Sequence, residues 1–205
     1  IVNRFNLNAG FTLAEVLVTL GIIGVVSAMT VPSLMQNYQR QSYITQLHKI
    51  YNELQQAFVQ EMTEQNALNL YEAGLNSKTS IKNFFNKHLR VIQACEGIAE
   101  PCFKTTYRNL NGTSLSFPGT WNSGNCAVIA SGAAVCLDYP SSNGSFGYVF
   151  IDVNGQKEPN ILGRDAFYLA VFKDGVLDTK KATIECRTNG TCSGAASLED
   201  ARGTV

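Results

Sequence analysis

The hydrophobic pattern divides this chain into three regimes. From Phe11 to Val31 apolar residues run almost without interruption (GFTLAEVLVTLGIIGVVSAMTVP over 10–32). That is roughly the 20 residues a helix needs to cross about 30 Å of hydrocarbon. Beyond Pro32 the composition turns polar, yet Leu34, Tyr38, Leu47, Tyr51, Leu54, Phe58 and Met62 recur at helical spacings, with Ile44 and Ile50 widening the stripe. One helix from about Phe11 to about Glu64 is therefore expected, its first half apolar on every side and its second half with one face to bury. Tyr38, Tyr43 and Tyr51 read as packing or rim aromatics on it.

Residues 65–78 lose the period and contain Gly74 and Asn76, which marks a helix end and a loop. Thr79 or Ser80 can cap a second helix from Ile81 to about Ala94, with Ile81, Phe84, Phe85, Leu89 and Ile92 along one side. From Cys95 onward short β-like runs alternate with turn residues. A strand is expected at Thr113 to Phe117, a hairpin over Cys126 to Leu137, then strands over Tyr148 to Val153 and Ala166 to Phe172, the last followed by a turn at Lys173-Asp174-Gly175. The fold class is α+β: a long N-terminal helix, membrane half plus amphipathic half, packed on a small antiparallel sheet domain. The expected divisions are a leader over 1–10, a transmembrane helix over 11–32, its amphipathic continuation over 33–66 and a globular domain over 67–205.

Composition sharpens this picture. The 205 residues are 45% hydrophobic, which one span and one core together explain, and 16 basic side chains balance 16 acidic ones. Neutrality argues against a general nucleic-acid binder, which needs net basic surface to displace counterions; only a local pair such as Lys104 with Arg108 points that way. Six cysteines behind an export-type segment suggest an oxidising compartment. No Cys-x-x-Cys occurs and only His48 and His88 add nitrogen, so disulfides are expected rather than zinc. Cys95 with Cys102 would fasten the end of the second helix. Cys126 would bond Cys136 across a three-residue loop at Ser131 to Ala133, and Cys186 with Cys192 flank a short loop suited to a local bridge. The tail from Ser193 is rich in Gly, Ala and Ser.

Within the apolar run Glu15 is the one charge, and a carboxylate at that depth costs about 2.5–3.5 kcal/mol on insertion scales, so it needs a partner. A cut between Gly10 and Phe11 would create an ammonium at Phe11 near the start of the same helix. Glu15 could answer that charge within its own helix, about a turn away, or equally take the amine of a neighbouring copy, and charge pairing would then fix the stagger between packed helices. Gly21 and Gly24, with Ser27 and Ala28, form a small-residue strip where helices can approach closely. Together with Pro32 they also predict a kink or locally melted turn between Gly24 and Pro32. Arg4 in the polar segment before Gly10 agrees with a positive cytoplasmic side. A secretory signal would instead place its cleavage site after the apolar run, where Val25-Val26-Ser27-Ala28 offers one. Ile1 rather than Met leaves the completeness of the leader open.

Gly10 followed by Phe11-Thr12-Leu13-Ala14-Glu15, an apolar run and Pro32 resembles the processing and methylation segment of type IV prepilins and type II secretion pseudopilins. The resemblance covers residues 10–32. It implies cleavage after Gly10 by a prepilin peptidase, N-methylation of Phe11, a subunit held in the inner membrane with its domain in the periplasm, and later assembly with other subunits into a homo- or hetero-polymer through the inner-membrane machinery. Pseudopilins of this kind include calcium binders. The loop between the last two strands carries Asp152, Asn154, Gly155, Asn160 and Asp165, oxygen carriers of the type calcium takes, though not at helix-loop-helix spacing. No other cofactor is expected.

His48 and His88, with no carboxylate or cysteine at ligand spacing, read as amphipathic surface residues. Asn111-Gly112, Asn143-Gly144 and Asn189-Gly190 fit both the glycosylation sequon and tight turns; turns are the simpler reading. No Gly-x-Ser-x-Gly, His-Glu-x-x-His or phosphate-binding glycine loop is present, so no enzyme is expected. The leading expectation is a structural subunit of a type IV pilus or a type II secretion pseudopilus. A minor subunit with an adhesive or DNA-uptake role is the alternative, and a signal-anchored periplasmic enzyme a remote one.

Overall fold

The computed structural model describes residues 11–95, 101–116, 125–138 and 146–179. The chain divides into two compact units, residues 1–42 and Tyr43–Val205, and the helix α1 (Leu13–Glu64) contributes to both.

In the first unit α1 is a bare rod: every residue from 11 to 41 is exposed. The helix runs without a break through Gly21, Gly24 and Pro32, so the expected melted turn is absent. A single proline removes one backbone donor, which helical bonds on either side outlast. Leu34 and Tyr38, 68% and 74% exposed, belong to this rod and not to a packed stripe.

The buried face of α1 starts in the second unit. Leu47, Ile50, Leu54, Ala57, Phe58 and Glu61 are buried, with Tyr43, Tyr51 and Met62 half-buried beside them, the 3–4 spacing of one helix face. Helix α2 spans Lys78–His88. It begins one turn earlier than expected because Ser77 and Ser80 cap it reciprocally, each side chain accepting the other's backbone N–H. It also ends earlier, and strand β1 spans Val91–Cys95, of which residues 91–94 were expected to be helical. Leu89 and Ile92 satisfy helical spacing, but β-branched Val91 and Ile92 favour the extended chain. Phe58 and Phe84 stack at 5.0 Å between the two helices.

The remaining strands are β2 (Thr106–Arg108), β3 (Ser114–Ser116), β4 (Asn125–Ile129), β5 (Ala134–Asp138), β6 (Gly147–Asp152), β7 (Ala166–Val171) and β8 (Leu177–Thr179). Six form an antiparallel sheet in the order β1-β4-β5-β6-β7-β8, while β2 and β3 make a separate hairpin. Alternation sorts the sheet's two faces. Val135, Leu137, Val149, Ile151, Phe167 and Leu169 pack with the helices. Ala134, Cys136, Phe150 and Ala166 point the other way and join Phe103 and Tyr107 in a second core.

The β4–β5 register places Cys126 opposite Cys136, as a disulfide needs. The loop is Ala130-Ser131-Gly132 rather than Ser131 to Ala133: Ile129 N–H donates to Ala133 O, and Gly132 takes φ +86°, a conformation that favours glycine. Cys95 bonds Cys102, but Cys95 lies at the end of β1 and so the bridge fastens an edge strand, not a helix. At Gly112 a positive φ forms the β2–β3 turn. The Asn143 and Asn189 turns, Cys186, Cys192 and the tail from Ser193 lie outside the described residues.

Candidate functional site

The N-terminal segment has the least protein around it and the most distinctive sequence. Thr12 and Glu15 close a reciprocal cap at the start of α1. The Thr12 amide and hydroxyl donate to Glu15 Oε2 at 2.8 and 2.9 Å, and the Glu15 amide donates to Thr12 Oγ1 at 3.2 Å. Sequence reasoning gave Glu15 only the Phe11 amine as a partner, of its own chain or of a neighbour. Thr-x-x-Glu before an apolar run is itself the capping-box signature and would have revealed the local one. Phe11 is 87% exposed immediately before it, and Gly10 lies outside the described residues.

Along the rod the polar groups turn inward on the helix. Thr19 Oγ1 donates to the carbonyls of Glu15 and Val16, and Thr30 Oγ1 to that of Val26. Such internal bonding lets hydroxyls sit in an apolar medium without an orphaned donor. An 18-residue window of α1 reaches a mean hydropathy of 2.0 with none of it buried. At Gly21 and Gly24 no atom lies within 4 Å of where a Cβ would stand, so both positions leave the backbone open to a neighbour.

Two polar clusters occupy the second unit. In the first, Glu61 Oε2 accepts from Lys87 Nζ at 2.8 Å and meets His88 Nε2 at 2.5 Å, while Lys87 Nζ also reaches Glu64 Oε2 at 2.6 Å. The His88 side chain is 2% exposed, so it is an inner partner of α1 and not the surface residue expected; His48 is exposed. Burial works to raise the Glu61 carboxyl, but hydrogen bonds from Lys87, His88 and Gln65 outweigh it and hold it below the usual range. No local motif announces this cluster, because its members are separated along the chain and meet only when α1 and α2 pack.

The second cluster is the loop singled out for calcium. Asp152 and Asp165 are fully buried. Asp165 spends both oxygens on the backbone amides of Asn160 and Ile161, at 2.8 and 2.7 Å. Asp152 accepts from the Tyr107 hydroxyl at 2.6 Å and from the Asn154 amide at 3.3 Å. Burial pushes the Asp152 carboxyl up to about 7, aided by the charge of Asp165 and opposed by the Tyr107 hydrogen bond. Among the buried side-chain atoms of the described residues, Asn154 Oδ1 and Asn160 Oδ1 have no partner. Calcium takes about six to eight oxygens. In this structure internal donors already hold both carboxylates, so that the loop is clasped by Asp152 and Asp165.

Residues 5–31 match the family model of the prokaryotic N-terminal methylation motif. No curated protein and no solved structure matches the chain. The motif and the unburied apolar helix together fit a single-pass membrane anchor. Residues 5–31 are thus a prokaryotic N-terminal methylation motif, the prepilin signature of type IV pilins and pseudopilins.

Proposed function

We propose that this chain is a structural subunit of a type IV pilus-like filament or a type II secretion pseudopilus. It is cleaved after Gly10 by a prepilin peptidase, methylated on the Phe11 amine, and assembled through Phe11 to Val31. The observation that carries this reading is the apolar rod with none of its hydrophobic window buried, preceded by the methylation motif. So much unburied apolar surface demands either lipid or other helices. In the membrane lipid covers it; in the filament the same surface packs on neighbouring copies. Glu15 then serves twice: it caps its own helix through Thr12, and its charge answers the Phe11 amine of an adjacent subunit. The unit from Tyr43 onward lies in the periplasm before assembly and on the filament exterior after it, and its role is structural rather than catalytic.

Mass spectrometry of the protein isolated from its own cells tests this directly. The mature chain should begin at N-methylated Phe11. A chain still carrying residues 1–10, or one starting beyond Ala28, would remove the basis for the assembly.

A further inference from the structure

Four cysteines stand together on one face of the sheet. The register puts Cys95 of β1 opposite Cys126 of β4, and Cys126 opposite Cys136 of β5. Cys102 closes on Cys95. All four are buried and share one cluster with Phe103, Tyr107 and Phe150. Directly opposed residues of antiparallel strands point to the same face, so both disulfides lie side by side.

Hydrogen-bond alternation tells how close they come. Ile129 N–H donates to Ala133 O, making that a bonded pair, and counting back two rungs at a time makes Cys126/Cys136 a non-bonded pair. Non-bonded pairs approach most closely, and the two Cα atoms are 4.0 Å apart. The amide and carbonyl of Cys126 must then face β1, so Cys126/Cys95 is a bonded pair with Cα atoms about 5.5 Å apart. Both separations lie below the ~7 Å beyond which cysteines cannot bridge without backbone movement. Cys126 therefore has two cysteines within covalent reach, one on either side.

We propose that Cys126 is the exchange point of a thiol–disulfide relay, through which an external dithiol acting on the edge strand sets the state of the interior disulfide. The dithiol opens Cys95–Cys102, giving up two electrons and leaving as a disulfide. The Cys95 thiolate then attacks Cys126 Sγ. A Cys95–Cys126 bond forms and the Cys126–Cys136 bond breaks. Its electron pair departs with Cys136, which takes up a proton. This second step moves no net electrons, and thiols of similar type exchange with an equilibrium near balance. Position assigns the direction: among the described residues β1 is an edge strand, whereas β4 and β5 each have a neighbour on both sides. An edge strand opens more readily than the middle of a sheet, so the modification partner is a dithiol oxidoreductase that engages β1. The relay follows from register alone and stands or falls apart from the filament reading.

The full chain in detergent, carrying Cys102→Ser, tests the relay. Free thiols are alkylated and the peptides mapped by mass spectrometry. Label at Cys136 should rise from none to within about tenfold of that at Cys95, with a Cys95–Cys126 cross-linked peptide that the wild type lacks. Label confined to Cys95, with Cys126–Cys136 intact, overturns the proposal. Should that variant misfold, Cys102→Ser with Cys136→Ser keeps only the proposed pair of these four. Under oxidised glutathione it should close Cys95–Cys126 with its circular dichroism retained, and persistent free thiols or glutathione adducts at both positions would refute the exchange.

Discussion

Thr12 and Glu15 hold one another: the carboxylate takes both donors of the threonine, at 2.8 and 2.9 Å, and returns its own amide to the threonine hydroxyl. A carboxylate in the apolar run thus has a local task besides any task between subunits, and two substitutions separate them. Glu15→Gln keeps an acceptor for Thr12 but no charge; Thr12→Val keeps the charge but no cap. If Glu15 answers a neighbour's amine, Glu15→Gln inserts into the membrane normally and yields no filaments by electron microscopy, whereas Thr12→Val still assembles with a frayed first turn. Normal filaments from Glu15→Gln would leave capping as the whole role of this residue.

Gly175 is where the β7–β8 turn meets α1. Its φ is +79°, and a Cβ there would lie 2.9 Å from Met62 Cε and 3.2 Å from Phe58 Cβ. Gln55 clamps the same turn, donating to Gly175 O at 2.9 Å and accepting from Leu177 N–H at 3.1 Å. Gly175→Ala therefore combines an unfavourable backbone with a clash and should cost on the order of 1–3 kcal/mol. A lowered midpoint in denaturant titration of the full chain in detergent measures it. An unchanged midpoint would mean that the turn is not held against the helix as described.

The apolar helix from Leu13 and the motif over residues 5–31 were legible because their signals are local, although the Thr12–Glu15 cap was missed. The sheet was half legible. Alternation over Tyr148–Val153 and Ala166–Phe172 located β6 and β7 to within a residue, and the cysteine spacing fixed the β4–β5 register although the loop slipped by one position. Val91–Cys95 misled because Leu89 and Ile92 satisfy a helical period while Val91 and Ile92 prefer a strand, and only pairing with β4 decides between them. Glu61, Lys87 and His88 could not be foreseen at all, since they meet only through the packing of two helices.

That cluster ties stability to pH on the acid side. Glu61 holds its proton less tightly in the fold than in the unfolded chain, because the hydrogen bonds from Lys87, His88 and Gln65 prevail over burial. Its contribution is present above the ordinary carboxyl range and is lost as pH falls through the lower, folded value. Glu61→Ala leaves the buried His88 imidazole without its acceptor, a loss on the order of 1–3 kcal/mol at neutral pH. The variant should also show a weaker decline of melting temperature on acidification than the wild type. Equal acid sensitivity in both would assign the acid limb to other carboxylates.

Asp152 acts in the opposite sense, between acid and neutral pH. Burial raises its carboxyl to about 7, and the nearby charge of Asp165 adds to this. The Tyr107 hydroxyl, itself pushed upward first by burial and then by the charge of Asp152, remains a donor throughout. A carboxyl that binds its proton more tightly in the fold contributes fully below its unfolded value, about 4, and loses that contribution as pH rises through about 7. The change across this window is on the order of a few kcal/mol. Asp152→Asn keeps an oxygen for Tyr107 and carries no charge at any pH, so it should equal the wild type near pH 4 and exceed it near pH 8 by an amount of that order. Tyr107→Phe should destabilise at both, since the carboxyl then loses its buried donor. Melting curves of the three proteins at the two pH values decide the matter: a wild type whose stability does not fall between them, or an Asp152→Asn variant that shows the same fall, would place Asp152 in water rather than inside the clasp.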